Sequence, residues 1–406
     1  MQQPETIEGY RLSPQQARLW SLQQAQTETP YYLKALISLD GSLNPAKLVT
    51  ALRQVIDRHE ILRTTFRCLP GMTVPLQVIG EPPALNSETH WFDCHDLKDL
   101  AASAASEPNV HKLDPIETYW QEWQKTDVPN QSQTLQASLV RQSSQKSWLF
   151  LKLAGLCADT ATLQQIIQEL AHEYESNRLE ATADEPIQYA DLAEWQYELL
   201  ESDETASGRN YWSQAAADNA LSVRFPPGKS AIPTQSHFHP NTVTLNLPAH
   251  LIQQLKAQTQ QAEGSLHSFL LTAWQTLLGR LTGQYDLTIG TAFEGRHYED
   301  LEAAIGLLTR YLPVHCLFNS DQSFHQAGQS IQAQINTVAQ WQDYFTWETW
   351  QPTLEDAFFP FGFDYHELSL SQPETALTFT LKRHWVCLER FHLNLSCYRQ
   401  GDTLTC

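Results

Sequence analysis

Residues 151–163 read LKLAGLCADTATL and carry the chain from an apolar run, through a turn of small residues, to the start of a helix. The segment WLFLKL at 148–153 is apolar apart from Lys152, which is typical of a buried central strand. After the turn, apolar residues recur at intervals of three or four, which predicts a helix with one buried face: Leu163, Ile166, Ile167, Leu170 and Tyr174. The stretch is therefore predicted to be a strand-loop-helix junction, with Asp159 immediately before the helix.

Similar strand and helix patterns alternate through the rest of the chain. YYLKALISLDG is predicted to be a strand, and the following NPAKLVTALRQVIDRHEILRTTF an amphipathic helix. The alternation restarts in the second half with strand TVTLNL, several helices and a group of strands from Phe361 onward. A length of 406 residues favours two lobes, predicted at 1–178 and 179–406, with a Pro-rich crossover linker near 224–241.

Composition narrows the classes of function. Hydrophobic residues make up 42% and charged residues 18%, as in a folded globular protein. A formal net charge of −20 argues against nucleic acid or an anionic membrane as a partner. The sequence has no apolar run of membrane-spanning length and no secretion-signal pattern at its start, so we expect a cytoplasmic location.

Cysteine and histidine spacing gives no metal or disulfide signature. The seven cysteines are scattered without a CxxC pair. His237 and His239 form the one close histidine pair, but they lack a neighbouring carboxylate cluster. We expect no bound metal.

Five short motifs, in order along nearly the whole chain, resemble those of the condensation domains of nonribosomal peptide synthetases, which belong to the chloramphenicol acetyltransferase-like superfamily. Each motif alone is weak, and the five in register give the resemblance its weight. They are SPQQARLWSL (13–22), RHEILRTTF (58–66), YADLAEW (189–195), IGLLTRYLP (305–313) and WQDYFTWE (341–348).

The resemblance implies an α/β fold of two lobes arranged as a V with a central channel. It also implies peptidyl or acyl carrier proteins and neighbouring synthetase domains as partners. No cofactor of the chain's own is implied, because 4'-phosphopantetheine would arrive on the carrier proteins.

The motif HHxxxDG of that family lies midway along the channel, and AGLCADT at 154–160 takes its place. Ala154 and Gly155 replace both histidines, Asp159 is retained, and Thr160 replaces the final glycine. The second histidine is held to position the attacking amine or to accept its proton, and Gly155 can do neither.

Asp159 is the retained motif residue, and its position before a helix favours a structural role. A carboxylate there accepts hydrogen bonds from the first amides of the helix and suits the positive end of the helix dipole. In the resembling family an arginine holds this aspartate, and Arg63 is the candidate partner.

Two residues are weak candidates to replace the missing histidine. Cys157 lies in the loop and would need a thiolate favoured by the following helix, although an isolated cysteine between apolar residues is more often buried packing. His315 lies on a strand that the resemblance places near the channel, but alternate residues of a strand face opposite sides. His59 ranks below both.

Arg310 and Tyr311 stand where the family commonly has Asn-Thr. Either these two large side chains narrow the channel, or they face outward.

We therefore expect a condensation-superfamily domain of a peptide assembly line that is impaired or non-catalytic for standard peptide-bond formation. Its roles would be carrier-protein docking, gating or recruitment of a partner such as a tailoring enzyme. The alternative is an atypical acyltransferase that still forms an amide or ester bond between a carrier-bound thioester and an acceptor, with small residues at 154 and 155 leaving space for substrate. A free-standing small-molecule acyltransferase fits less well, because its chemistry also uses the absent histidine.

Overall fold

The computed structural model describes residues 8–24, 31–82, 91–104, 114–125, 134–176, 185–202, 205–218, 238–261, 264–317, 321–350, 357–368 and 377–406. Within these ranges the helices are α1 (Pro14–Gln24), α2 (Pro45–Arg58), α3 (Leu97–Ala104), α4 (Pro115–Lys125), α5 (Thr160–Glu175), α6 (Tyr189–Glu201), α7 (Ala206–Asp218), α8 (Ala249–Gln261), α9 (Leu266–Thr282), α10 (Phe324–Gln340) and α11 (Trp347–Trp350).

The strands of the same ranges are β1 (Tyr32–Gly41), β2 (Thr64–Arg67), β3 (Leu76–Ile79), β4 (Phe92–Asp96), β5 (Leu135–Ser143), β6 (Lys146–Ala154), β7 (Asn246–Leu247), β8 (Asp286–Phe293), β9 (Arg310–Leu317), β10 (Phe361–Glu367), β11 (Leu377–Val386), β12 (Leu393–Gln400) and β13 (Thr403–Thr405). Most elements match the sequence-based expectation. TVTLNL is the main exception, because only Asn246–Leu247 pairs as a strand.

The first large sheet has the strand order β11-β1-β6-β5-β4. Its central strand β6 is buried along most of its length, as the apolar run predicts. Helices α2 and α5 pack on one face and share a core with β1 and β6, because both helices present one apolar side. Helix α4 covers the opposite face with Trp120 and Trp123, which pack on Phe150.

One strand of this sheet comes from the far end of the chain. Strand β11 pairs antiparallel with β1 from Leu33↔Val386 to Gly41↔Leu377. Residues of the second half therefore complete the sheet of the first half.

The second large sheet has the order β7-β13-β12-β10-β8-β9. Along its middle strand β10, the aromatic residues Phe361, Phe363 and Tyr365 alternate with smaller or polar residues. Phe361, Phe363 and Tyr365 lie on the face covered by α9, whose His267 stacks on Phe363.

The other face of β10 carries Asp364 and His366, because successive side chains of a strand point to opposite sides. The neighbouring strand β12 places Ser396 and Tyr398 directly opposite these two residues. Tyr398 packs against the core of the first sheet, so this polar face is turned toward the first lobe.

Two sequence-based expectations stay predictions. The predicted linker near 224–241 lies outside the described residues except for 238–241, and the lobe boundary at 178/179 falls in the undescribed stretch 177–184. His237 also lies outside the described residues. Among the described helices, no helix combines the length and apolarity needed to cross a membrane.

Candidate active site between the two sheets

The junction quoted at the start has the predicted form. Strand β6 ends at Ala154, a short 3-10 turn covers Gly155–Cys157, and α5 begins at Thr160. Asp159 is the N-cap of α5, and its Oδ1 accepts a hydrogen bond from the amide of Thr162 at 2.9 Å. The predicted capping role of Asp159 is confirmed.

Asp159 is fully buried and is held by Arg296, which follows the end of β8. The guanidinium binds both carboxylate oxygens, with Nη1 at 2.9 Å from Oδ2 and Nη2 at 3.0 Å from Oδ1. The amides of Leu308 and Thr309 each donate to Oδ2 at 3.0 Å. Burial acts to raise the pKa of Asp159, but the charge and hydrogen bonds of Arg296 outweigh it and leave this pKa below its ordinary value.

Arg63 is not the partner of Asp159, so that prediction is wrong. Its Nη1 donates to the carbonyl of Gly80 at 2.6 Å, and its Nη2 lies 3.6 Å from Glu60. Arg63 lies in the RTTF segment, which pairs with β3 in a separate two-stranded sheet. Arg296 lies 137 residues beyond Asp159, and no spacing pattern in the sequence connects the two.

The backbone around position 155 is closely packed. Gly155 is buried, and its amide donates to the carbonyl of Tyr31 at 3.1 Å. A Cβ atom on Gly155 would lie 2.8 Å from that oxygen and 3.1 Å from a methyl of Leu19. Gly155 therefore leaves no space for substrate, contrary to the expectation for small residues here, because backbone from the start of β1 fills it.

Ala154 and Thr160, the first and last residues of the 154–160 segment, are also packed against neighbouring structure. Ala154 ends β6, where its amide donates to the carbonyl of Thr134, and it packs against the first core. Thr160 is buried as the first residue of α5.

Cys157 does not have the surroundings of a nucleophile. Its side chain is completely buried in the first core, and burial raises the pKa of its thiol far above the ordinary value. A reactive thiolate needs a lowered pKa and access to substrate. Cys157 is therefore a buried packing residue, which was the alternative to a nucleophile in the sequence analysis.

His315 lies away from the motif. His315 comes six residues after Thr309, and most of that stretch is strand β9. Six extended residues separate the two positions by about 20 Å. Its Nε2 lies 2.6 Å from Asp286, and it lines two cavities of about 280 and 170 Å³ next to α10. His59 is engaged elsewhere, because its side chain is buried and its Nε2 lies 2.8 Å from Oε2 of Glu169.

Arg310 and Tyr311 are buried rather than outward-facing, so the outward-facing alternative is wrong, and narrowing of the channel stays a prediction. Arg310 is buried between the carbonyl of Gln342 at 2.8 Å and Asp343 at 3.3 Å, and burial lowers its pKa. Tyr311 packs on Phe391, with ring centroids 5.0 Å apart, and burial followed by the charge of Asp364 raises its pKa.

A polar group that the sequence analysis missed lies between the two sheets. His366 Nδ1 is 3.1 Å from Glu294 Oε1, and the His366 ring stacks on Tyr398 with centroids 5.7 Å apart. Tyr398 in turn meets the ring of His384 from β11 edge-on at 3.9 Å. The signal in the sequence was the alternation of aromatic and polar residues in FGFDYHE (361–367), which indicates a strand with one polar face.

Comparison with known proteins agrees with this architecture. The family model described as "Condensation domain" matches residues 7–346. Over 336 residues the chain is 27% identical to Tyrocidine synthase 2 from Brevibacillus parabrevis, covering 82% of this chain and 9% of that synthase. The chain belongs to the condensation-domain family, and it spans about a tenth of the length of this relative.

Solved structures of the family share the fold. The condensation domain of the Monacolin K polyketide synthase MokA gives a TM-score of 0.77 at 20% identity, covering 98% of this chain and 91% of that one. The X-domain from teicoplanin biosynthesis gives 0.72 at 21% identity, covering 100% and 89%. The same X-domain is also known in a complex with OxyB, where the TM-score is 0.69 at 22% identity, with coverage of 100% and 89%. The predicted α/β fold of two chloramphenicol acetyltransferase-like lobes is confirmed.

Removing one partner of the buried Asp159–Arg296 pair should destabilise the protein strongly. We expect Asp159→Asn and Arg296→Met each to lower the free energy of unfolding by about 3–5 kcal/mol, because the remaining charge is left buried. Arg63→Met is the matched control and should cost only about 1–2 kcal/mol. Chemical denaturation at pH 7 measures all three, and equal losses for Arg63→Met and Arg296→Met would contradict the assignment.

The effect of Asp159→Asn should depend on pH. The folded-state pKa of Asp159 is lowered, so its contribution is fully present above the unfolded pKa of about 3.9 and is lost as the pH falls through the folded value. The stability difference between wild type and Asp159→Asn should therefore be constant near neutrality and shrink in acid. A difference that grows as the pH falls would be inconsistent with a lowered pKa.

A side chain at position 155 should be costly. We expect Gly155→Ala to lower the free energy of unfolding by about 1–3 kcal/mol, because the Cβ meets the backbone oxygen of Tyr31. Gly328→Ala in α10 is the matched control, since nothing lies closer than 3.7 Å to its Cβ, and it should be neutral or stabilising. Equal effects of the two substitutions in denaturant titrations would show that position 155 has free space.

Proposed function

We propose that this chain is a condensation-superfamily domain of a nonribosomal peptide synthetase assembly line that is impaired or non-catalytic for standard peptide-bond formation. It acts by docking carrier proteins, gating their traffic or recruiting a partner. The single observation that carries the proposal is the closure of position 155 by the carbonyl of Tyr31. The motif's proton acceptor is absent, and its location is occupied.

Without the motif histidine, amide formation is slowed strongly but not abolished. Amide formation needs an amine to attack a thioester carbonyl and to lose a proton, and a well-placed base contributes roughly 10²–10⁴ in rate. Holding the two reactants together still supplies a contribution of its own. Slow bond formation by approximation is therefore compatible with the proposal, whereas family-like turnover is not.

The preserved framework supports a docking role. Asp159, Arg296 and the amides of Leu308 and Thr309 hold the motif loop in place although the loop lacks its histidines. Carrier proteins would bring 4'-phosphopantetheine to this domain, which would hold no cofactor of its own. We place this work in the cytoplasm, with no nucleic acid among the partners, since the net charge is −20.

Similarity to the X-domain supports recruitment as one form of this role. That domain is known in a complex with OxyB, a second protein of teicoplanin biosynthesis. A tailoring enzyme is accordingly the partner class that we propose for this chain beside carrier proteins and neighbouring synthetase domains.

An atypical acyltransferase is the second candidate. The polar group between the sheets favours it, because Glu294 and His366 form a carboxylate–imidazole pair close to the motif loop. Cys157 and His315 no longer support this candidate, given the burial of the one and the distance of the other.

Reconstitution tests the leading proposal. With donor acyl and acceptor aminoacyl groups loaded on carrier proteins, we expect amide formation at least about 100-fold slower than by a family domain with an intact HHxxxDG motif assayed in parallel. Mass spectrometry of the released product measures it. Turnover equal to that of the intact domain would overturn the non-catalytic version.

The same assay tests whether His315 contributes to any bond formation. Any residual product should be insensitive to His315→Gln, because this residue lies on the far part of β9. Carrier-protein binding, measured by calorimetry with unloaded carriers, should persist in the wild-type chain. Absence of binding to every carrier of the assembly line would remove the docking role.

A further inference from the structure

Cys397 and Cys406 form a pair of thiols in the second lobe. Their Sγ atoms lie 3.4 Å apart, although the two residues are nine positions apart in the chain. Cys397, on β12, is completely buried in the core of the second sheet. Cys406 comes directly after β13 and is only partly buried against the same core. The spacing in the sequence gives no disulfide signature, and the fold alone brings the two thiols together.

The strand ladder determines how these two residues face each other. Strands β12 and β13 pair antiparallel with Tyr398 opposite Thr405, so the next step of the register places Cys397 directly opposite Cys406. On its other side, Cys406 exchanges two backbone hydrogen bonds with Leu245, each with an N–O distance of 2.8 Å. The amide and the carbonyl of one residue point to the same side of an antiparallel strand. Both backbone groups of Cys406 therefore point away from β12.

Cys397 and Cys406 consequently occupy a non-hydrogen-bonded position of the ladder. The Cα atoms of residues that are opposite each other at such a position lie about 4.5 Å apart, and their side chains approach most closely there. This separation falls within the range of about 4.4–6.8 Å that a disulfide spans. The backbone is thus already placed for an S–S bond, which rotation of the two side chains can close.

The two thiols differ in acidity and in access. The hydrogen bond from the Cys397 thiol is the main cause that lowers the pKa of Cys406. The same hydrogen bond, followed by burial, raises the pKa of Cys397. Because the thiolate is the attacking form of a cysteine, Cys406 is the group that meets an external reagent first. Cys397 is in position to act second.

We propose that Cys397 and Cys406 are a redox modification site, which a low-molecular-weight disulfide such as glutathione disulfide converts into an internal cross-link. The Cys406 thiolate attacks one sulfur of glutathione disulfide, forms a mixed disulfide and releases one glutathione thiolate. Cys397 then loses its proton and attacks Sγ of Cys406, which forms the internal bond and releases the second glutathione thiolate. The cysteine pair loses two electrons and two protons, and glutathione disulfide takes them up to become two glutathione molecules.

The cross-link fastens β13 to β12 without changing the face that β12 turns toward the first lobe. Ser396 and Tyr398, on either side of Cys397, point to that opposite face, because side chains alternate along a strand. In a reducing compartment the pair stays as two thiols, and it closes when the fraction of glutathione disulfide rises. This inference goes beyond the function proposed above and does not depend on it.

Mass spectrometry of the full chain in glutathione redox buffers tests the site. Trypsin cuts after Arg399, so the cross-link is detected as two joined peptides that have together lost two hydrogen atoms. We expect these joined peptides in excess glutathione disulfide and their separation by dithiothreitol. Cys68, which is exposed and contacts no other thiol in the described part of the chain, is the internal reference and should stop at the mixed disulfide with glutathione.

Single substitutions separate the roles of the two cysteines. Cys406→Ser should abolish the cross-link and leave Cys397 unmodified, because Cys397 is buried. Cys397→Ala should instead accumulate the mixed disulfide on Cys406, because the thiol that displaces glutathione is gone. Cys68→Ser is the matched control and should leave the cross-link unchanged.

Thermal unfolding supplies a second readout. A disulfide that closes so short a loop should raise the melting temperature of the wild-type chain by about 3 °C relative to the reduced form. The melting temperature of Cys406→Ser should be the same in the oxidising and the reducing buffer.

Modification of Cys68 without any cross-link between Cys397 and Cys406 in the folded wild-type chain would overturn the proposal. A cross-link from Cys406 to a different cysteine would do the same, as would a melting temperature that oxidation leaves unchanged. The wild-type peptides and melting curves decide the question even where a cysteine variant fails to fold.

Discussion

The buried ion pair between Asp159 and Arg296 is the interaction on which the arrangement of the two halves depends. The carboxylate of Asp159 caps α5 and binds the guanidinium of Arg296, which follows the end of β8. It also accepts hydrogen bonds from two backbone amides in the segment before β9. Thr162, one turn into α5, adds a further link by donating to the carbonyl of Gly306 at 2.7 Å. Burying a charge is tolerable only when such partners surround it, and here they come from both lobes.

The same contacts fix the end of the loop that precedes α5. The carboxylate of Asp159 accepts hydrogen bonds from three backbone amides and from Arg296, and replacing it would leave Arg296 buried and unpaired. At the other end of the loop, the amide of Gly155 donates a hydrogen bond to the carbonyl of Tyr31. Both ends of the loop are therefore held by buried hydrogen bonds.

The elements around the motif could be predicted because local patterns determine them. The apolar run of β6, the helical spacing of α5 and the capping position of Asp159 are all readable within thirty residues. The partner of that aspartate was not predictable, since Arg296 approaches only through the tertiary fold, and Arg63 was chosen for its place in a motif. The polar face with Glu294 and His366 depends on three strands whose order the sequence does not state. Only the alternation within FGFDYHE (361–367) offered a local indication of it.

The position of β11 also bears on how the molecule moves and assembles. This strand leaves the second lobe, completes the edge of the first sheet beside β1 and then returns to β12. The two halves are thus joined by a hydrogen-bonded strand ladder. Wide separation of the lobes would require breaking that ladder and exposing an edge strand, a surface prone to aggregation. Breathing motions of the cleft are consequently expected to be small twists about β1 and β11, and a fragment ending before β11 would lack a strand of its own sheet.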